Sequence, residues 1–246
     1  MSSAVFAARE TGRTIVEIPA QSPAAGRLAI QIEFAGLAVT LDRSGAAYIG
    51  ALGTLIVADL HLEKGSGAAA RGRLLPALDT WDTLQRLKSA ITLYRPARVV
   101  CLGDSFHDSA AGERMTPAGR DELSSLCASL PEWVWLRGNH DPELPAFCGG
   151  TACAEFEAGG AILRHEPAPH SPRAQIAGHL HPKVSVPAGG YRFSGPCFCV
   201  SERLIVMPAF GAYTGGLDCR DPAIRSLLGQ DTRIFMLHAA KLWRAG

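Results

Sequence analysis

The chain has 246 residues, 47% hydrophobic and 19% charged, with a formal net charge of +1. That length and apolar content suit one sizeable core of an α/β kind. A charge this close to zero excludes a global field that would announce a polyanionic partner, although a local basic patch is invisible in such a sum.

Residues 1–28 are rich in Ala, Ser and Pro without sustained periodicity, and read as a loosely held lead-in to a single domain over 29–246. Short β-type stretches follow at Leu37 to Leu41, Ala47 to Ile49 and Thr54 to Ala58, the last almost wholly apolar and so central in a sheet. A polar, Gly-rich loop carries Lys64, Arg71 and Arg73. From Pro76, read as a first-turn residue, Leu78, Trp81, Leu84, Leu87, Ile91 and Tyr94 recur at helical spacing until Pro96 stops the run. Arg98 to Leu102 is a second central strand. Thr116 and Pro117 then look like the cap and first turn of a helix bearing Leu123, Leu126, Cys127 and Leu130, and Glu132 to Leu136 is a third strand.

Beyond residue 150 the helical period disappears. Strands are expected at Glu155 to Phe156, Ala161 to Leu163, Gln175 to Ala177, Phe193 to Val200, Leu204 to Met207 and Arg233 to Leu237. Gly159-Gly160 and Ser201 to Arg203 have the chemistry of hairpin connections. The seven cysteines form no CxxC pair, and there is neither a secretory start nor a long apolar run, so a reduced, soluble, cytoplasmic protein is expected. Cys197 and Cys199 share one face of a strand and read as small buried hydrophobes.

Chemistry collects where strands end. Asp59-Leu60-His61, Gly103-Asp104 and Gly138-Asn139-His140-Asp141 each follow a central strand; His165 and Gly178-His179-Leu180-His181 follow strands of the second half. If the segment is extended, Asp59 and His61 project to one side and can bind one ion, whereas His179 and His181 straddle two ions if their loop bends. Carboxylate, imidazole and amide oxygen suit Mn, Fe or Zn, and no thiolate is in the set. Taken singly, each such Asp or His is more often a cap or a hydrogen-bonded loop residue; five ordered clusters at strand ends are hard to obtain from packing alone.

The ordered set DxH, GD, GNHD, a lone His and GHxH, over residues 59–181, resembles the calcineurin-like metallophosphoesterase superfamily. The resemblance implies a four-layer αββα sandwich with mixed sheets and two divalent ions at the strand ends. It implies that Asp59, His61, Asp104 and His181 hold one ion and Asp104, Asn139, His165 and His179 the other, with Asp104 as the bridge. His140 matches the family's catalytic histidine, which contacts the scissile phosphate and assists the leaving oxygen, and Asp141 would orient its ring. The longer strings 58–65 (ADLHLEKG), 103–108 (GDSFHD), 164–167 (RHEP) and 207–216 (MPAFGAYTGG) are similar to the ligase-associated DNA-damage-response endonuclease family. That narrower likeness implies a manganese-dependent phosphodiesterase that nicks DNA, single-stranded or structured, in association with an ATP-dependent DNA ligase and a helicase.

Several residues keep two readings. His107 either points into the substrate cleft or makes a cap or loop hydrogen bond. Glu166 either holds a ligand histidine or lies on the surface. Lys64, Arg71 and Arg73 either meet a phosphate backbone or belong to a solvated loop. Phe210 and Tyr213 are either core or, if exposed, a surface on which a base stacks. The rival functions are a phosphatase or pyrophosphatase on small nucleotides or lipid precursors, and a non-catalytic scaffold on the same fold.

Overall fold

The structure, a computed structural model, describes residues 16–18 and 29–246, apart from 74, 189 and 246. The expected lead-in over 1–28 lies outside the described residues except for β1 (Val16–Ile18), whose backbone pairs antiparallel with β2 (Ala29–Phe34). The first sheet continues antiparallel through β3 (Leu37–Asp42), β4 (Ala47–Ile49) and β5 (Thr54–Val57). It then turns parallel through β6 (Arg98–Cys101), β7 (Glu132–Leu136) and β8 (Thr151–Cys153). Parallel neighbours need crossovers, and helices supply them. α1 (Lys64–Ala70) and α2 (Asp79–Tyr94) link β5 to β6; α3 (Ala111–Arg114) and α4 (Pro117–Ala128) link β6 to β7.

The second sheet is built from β9 (Glu155–Ala158), β10 (Ala161–Arg164), β11 (Ala174–Ala177), β12 (Lys183–Ala188), β13 (Tyr191–Val200) and β14 (Leu204–Val206), then, after α5 (Pro222–Leu228), β15 (Arg233–His238) and β16 (Lys241–Ala245). Its order is β16-β15-β13-β14-β11-β10-β9, with β12 paired to β13. Gly159-Gly160 joins β9 to β10 and the 201–203 connection joins β13 to β14, both as antiparallel hairpins.

The apolar runs of β5, β6 and β7 are continuous because both faces are covered. Ile56, Val100 and Val134 face Ile176, Phe198, Ile205 and Phe235 of the second sheet, while Leu55, Val57, Val99, Cys101, Trp133 and Trp135 face α2 and α4. On the far side of the second sheet, Cys197, Cys199 and Val206 pack with Ile224 and Leu228 of α5. The layers are therefore helix, sheet, sheet, helix. Cys197 and Cys199 share that buried face with their sulfurs 3.8 Å apart, and all seven cysteines are free thiols.

Four expectations need correction. Residues 64–70 form α1 rather than an open loop. The first helical stretch begins at Asp79, not near Pro76, and its buried stripe is Thr80, Thr83, Leu84, Leu87 and Ala90. Leu78 and Trp81 remain 58% and 54% exposed, because the stripe that meets the sheet is rotated away from the largest apolar side chains. The second half does contain a helix: Asp221 caps α5 by accepting from the Ala223 N–H at 2.9 Å, with Pro222 in its first turn. Strands β2, β8, β12 and β16 also add to the sheets; β12 lies in a hairpin with the exposed Tyr191 and Phe193, where alternation of buried and polar residues is weak. Thr116 behaves as expected, accepting from the Gly119 N–H at 3.2 Å with Pro117 behind it. Among the described residues no helix is long and apolar enough to cross a membrane.

Candidate metal centre

Five strands end at one place. Asp59 and His61 follow β5, Asp104 follows β6, Asn139 follows β7, His165 follows β10, and His179 and His181 follow β11. Backbone hydrogen bonds zip these loops together: the His61 N–H reaches the Asp104 carbonyl at 2.9 Å, the Gly178 N–H the His165 carbonyl at 3.0 Å, and the Phe210 N–H the Ala58 carbonyl at 2.7 Å. Asp59, His61, Asp104, His179 and His181 all have positive φ, between 43° and 69°. Asp59 and His61 thus converge through left-handed kinks, not by the extended i, i+2 geometry expected of them. The loop between His179 and His181 does bend, with the Leu180 N–H donating to the Gly178 carbonyl at 2.8 Å across a three-residue γ-turn.

The kinks gather two groups whose donor atoms all lie within 4.8 Å of one another: Asp59, His61 and His181, and Asp104, His165 and His179. In the first, His181 Nε2 is 3.2 Å from His61 Nε2 and 3.2 Å from Asp59 Oδ1. In the second, His165 Nε2 is 3.1 Å from His179 Nδ1, 2.9 Å from Asn139 Oδ1 and 3.4 Å from Asp104 Oδ1. Asp104 lies between them, its other oxygen 4.0 Å from His61 Nε2. Two ring nitrogens facing each other beside carboxylates leave lone pairs that a hydrogen bond satisfies only in part; a divalent cation satisfies them together. Burial, aided by the nearby His181 and Lys64, holds His61 down at about 2, so its ring is neutral, the state that ligates metal. His165 is oriented by donating from Nδ1 to the Leu102 carbonyl at 2.8 Å, which turns Nε2 into the group. The residues present therefore fit a dinuclear centre of divalent ions.

His140 sits at the open edge, with its side chain 42% exposed and Nε2 3.8 Å from Asp104 Oδ2. Its Nδ1 is 3.0 Å from the His107 carbonyl. Asp141 does not orient that ring. Its carboxylate accepts from the N–H groups of Ser105 at 2.6 Å, Phe106 at 3.0 Å and Gly138 at 3.2 Å, pinning the loop after β7 to the loop after β6. Burial pushes Asp141 up to about 6 against the pull of those donors, and Asp104 adds to the rise.

His107 lies beside the centre, its ring stacked against that of His140 at 6.0 Å and its Nε2 2.8 Å from an Arg71 guanidinium nitrogen. Burial lowers its pKa, with the charges of Lys64 and Arg71 adding to the effect. Arg71 is also 3.8 Å from Asp108, which Arg114 holds at 2.8 Å. Lys64 is half-buried at the start of α1, Arg73 is exposed, and Glu166 is exposed while Leu102 orients the adjacent His165 instead. Phe210 is fully buried under Arg86, whose guanidinium lies 4.7 Å from the ring centre, whereas Tyr213 is 43% exposed at φ 58°. The backbone carbonyls of Leu102 and His107 escaped sequence reasoning because a carbonyl leaves no residue-type signal. Lys183, two residues after His181, escaped it too, although its place beside the GHxH string was visible.

Residues 53–203 match the family model described as calcineurin-like phosphoesterase. Among solved structures, the nuclease MPE of Pseudomonas putida is 28% identical, with a TM-score of 0.69, over 88% of this chain and 100% of that one. The phosphoesterase Yfce of E. coli is 15% identical over 76% of this chain and 88% of its own, with a TM-score of 0.37. No curated protein matches the chain. The family match covers more than half of the sequence and takes in every donor from Asp59 to His181, so this protein belongs to the calcineurin-like phosphoesterase family of metal-dependent hydrolases.

Proposed function

We propose that the protein is a manganese-dependent endonuclease that cuts phosphodiester bonds in DNA during repair. The observation that carries this reading is the pair of donor groups meeting across Asp104 with His140 at their open edge. The 28% identity to a nuclease over 88% of the chain supports a nucleic-acid diester over a small ester, as do the strings at 58–65, 103–108, 164–167 and 207–216.

In this reading Asp59, His61, Asp104 and His181 hold one ion and Asp104, Asn139, His165 and His179 the other, with Asp104 shared. Divalent ions in such a site supply positive charge for the phosphoryl oxygens and acidify a water. The chain does the rest. The Leu102 carbonyl fixes the His165 ring, and the His107 carbonyl fixes His140 so that Nε2 faces the space over Asp104. A phosphodiester bound there meets His140 Nε2, which in its protonated form donates a hydrogen bond, and finally a proton, to the leaving oxygen. The partners implied are DNA, an ATP-dependent DNA ligase and a helicase, and the place of action is the cytoplasm.

The test is cleavage of single-stranded, duplex and hairpin DNA, an aryl phosphodiester and an aryl phosphomonoester with manganese. His140→Ala is expected to lose about 10²- to 10⁴-fold in kcat while retaining two ions by elemental analysis. Activity confined to the monoester, or full activity in the variant, overturns the reading.

A further inference from the structure

Two lysines flank the metal centre without a direct ion pair to a carboxylate. Lys64 opens α1 three residues after His61, and Lys183 opens β12 two residues after His181. The rings of His61 and His181 touch, with Nε2 atoms 3.2 Å apart, so the chain carries both lysines away from one point. Both are half-buried, and among the described residues neither makes an ion pair.

The nearby acids are occupied elsewhere. The Glu63 carboxylate accepts from the Thr80 hydroxyl at 2.9 Å, and Asp79 accepts from the Gly65 N–H at 2.9 Å. Asp108 is shared between Arg114 and Arg71, which sets that pair of arginines apart from the lysines. Lys183 Nζ donates to the Thr214 carbonyl at 3.2 Å, one of the three hydrogen bonds an ammonium can make. Burial, with the neighbouring Lys183 charge adding to it, lowers the Lys64 pKa although the Asp79 carboxylate pulls it the other way. Like charges held together in a partly desolvated place repel, and an anion between them relieves both the repulsion and the unmet donors.

We propose that Lys64 and Lys183 form a phosphate subsite at the mouth of the metal centre that takes a backbone phosphate adjoining the one being cut. This rests on the phosphodiesterase reading above and narrows it: the preferred substrate is a chain with a phosphate next to the scissile bond. A lone diester cannot fill the subsite. The lysines act in binding and register, while bond breaking stays with the centre and His140.

The salt dependence of kcat/KM distinguishes the possibilities. Wild type, Lys64→Gln, Lys183→Gln and the double variant are assayed with manganese on an oligothymidylate and on bis(p-nitrophenyl) phosphate, which has no adjoining phosphate. On the oligonucleotide each single variant is expected to reduce the slope of log kcat/KM against log salt by about 0.7, and the double variant by about twice that, chiefly through KM. Lys64→Arg and Lys183→Arg keep the charge and are expected to keep the slope. A double variant with the wild-type slope, or one whose loss of oligonucleotide kcat/KM is matched on the aryl diester, overturns the subsite. Wild type that cleaves the aryl diester but no oligonucleotide overturns it too. Wild type inert towards both with two ions bound overturns the underlying phosphodiesterase reading instead.

Discussion

Asp141 follows His140 directly, yet its carboxylate turns away from that ring and is spent on the N–H groups of Ser105, Phe106 and Gly138. It is 1% exposed, so none of those donors can turn to water if it is removed. Asp141→Asn presents an amide hydrogen to at least one buried donor and leaves it without a partner. The expected loss is about 3 kcal/mol, the upper end of the range of about 1–3 kcal/mol for a buried donor left unmet. Differential scanning calorimetry is expected to show Tm lower by roughly 6–12 °C in a chain of this size. An unchanged Tm would remove Asp141 from its role as the clamp between two loops.

Loops at strand ends are where this structure stores strain. Asp59, His61, Asp104, His179 and His181 occupy left-handed conformations, at a cost on the order of 1–3 kcal/mol each, and persist because neighbouring backbone overdetermines them. Asp and His tolerate that region better than branched residues do. Two glycines make the crowding possible. A Cβ at Gly138 would overlap the amide nitrogen and a carboxylate oxygen of Asp104, and one at Gly103, with φ 81°, would lie 2.7 Å from the His165 ring. Gly138→Ala must therefore push the loop after β7 off the loop after β6. The expected result is a fall of about 100-fold in kcat with near-native far-UV circular dichroism, since displacements of about 1 Å have that effect on positioned groups. Wild-type turnover in this variant would show that the two loops need not touch for function.

The centre also ties the molecule together. Asp59, His61, Asp104 and Asn139 come from the first sheet, and His165, His179 and His181 from the second, across a core that includes Ile56, Val100, Phe198 and Ile205. Ions bound in the folded state and not in the unfolded chain stabilise by mass action, about 2.7 kcal/mol per site at a hundredfold excess over Kd. Chelation is accordingly expected to lower Tm by roughly 5–10 °C per site and returning divalent ion to restore it. A melting curve indifferent to chelator would mean that the ligands of the two sheets are not bridged.

The central strands β5, β6 and β7 and the strand-end residues that gather into two donor groups were legible in the sequence, and the four-layer plan through the family resemblance. Continuous apolar runs of about four residues followed within three positions by Asp or Asn can serve both a doubly covered strand and a functional edge. The helices were less legible: α1 is short and rich in Gly and Ala, α5 has two buried residues in about two turns, and at α2 the large Leu78 and Trp81 drew the expected stripe away from the buried one. What only the tertiary structure decided is direction and company. Whether Asp141 faces His140 or the neighbouring loop, whether Tyr213 is covered while Phe210 is, and whether the charge of Lys183 is felt at Lys64, 119 positions away, depend on how two sheets pack. Residue type and spacing fix which groups are available and roughly where along a strand they fall, because those are local properties of the backbone. Which nitrogen, oxygen or ammonium faces which partner is set by close packing between distant segments, and local sequence carries no term for it.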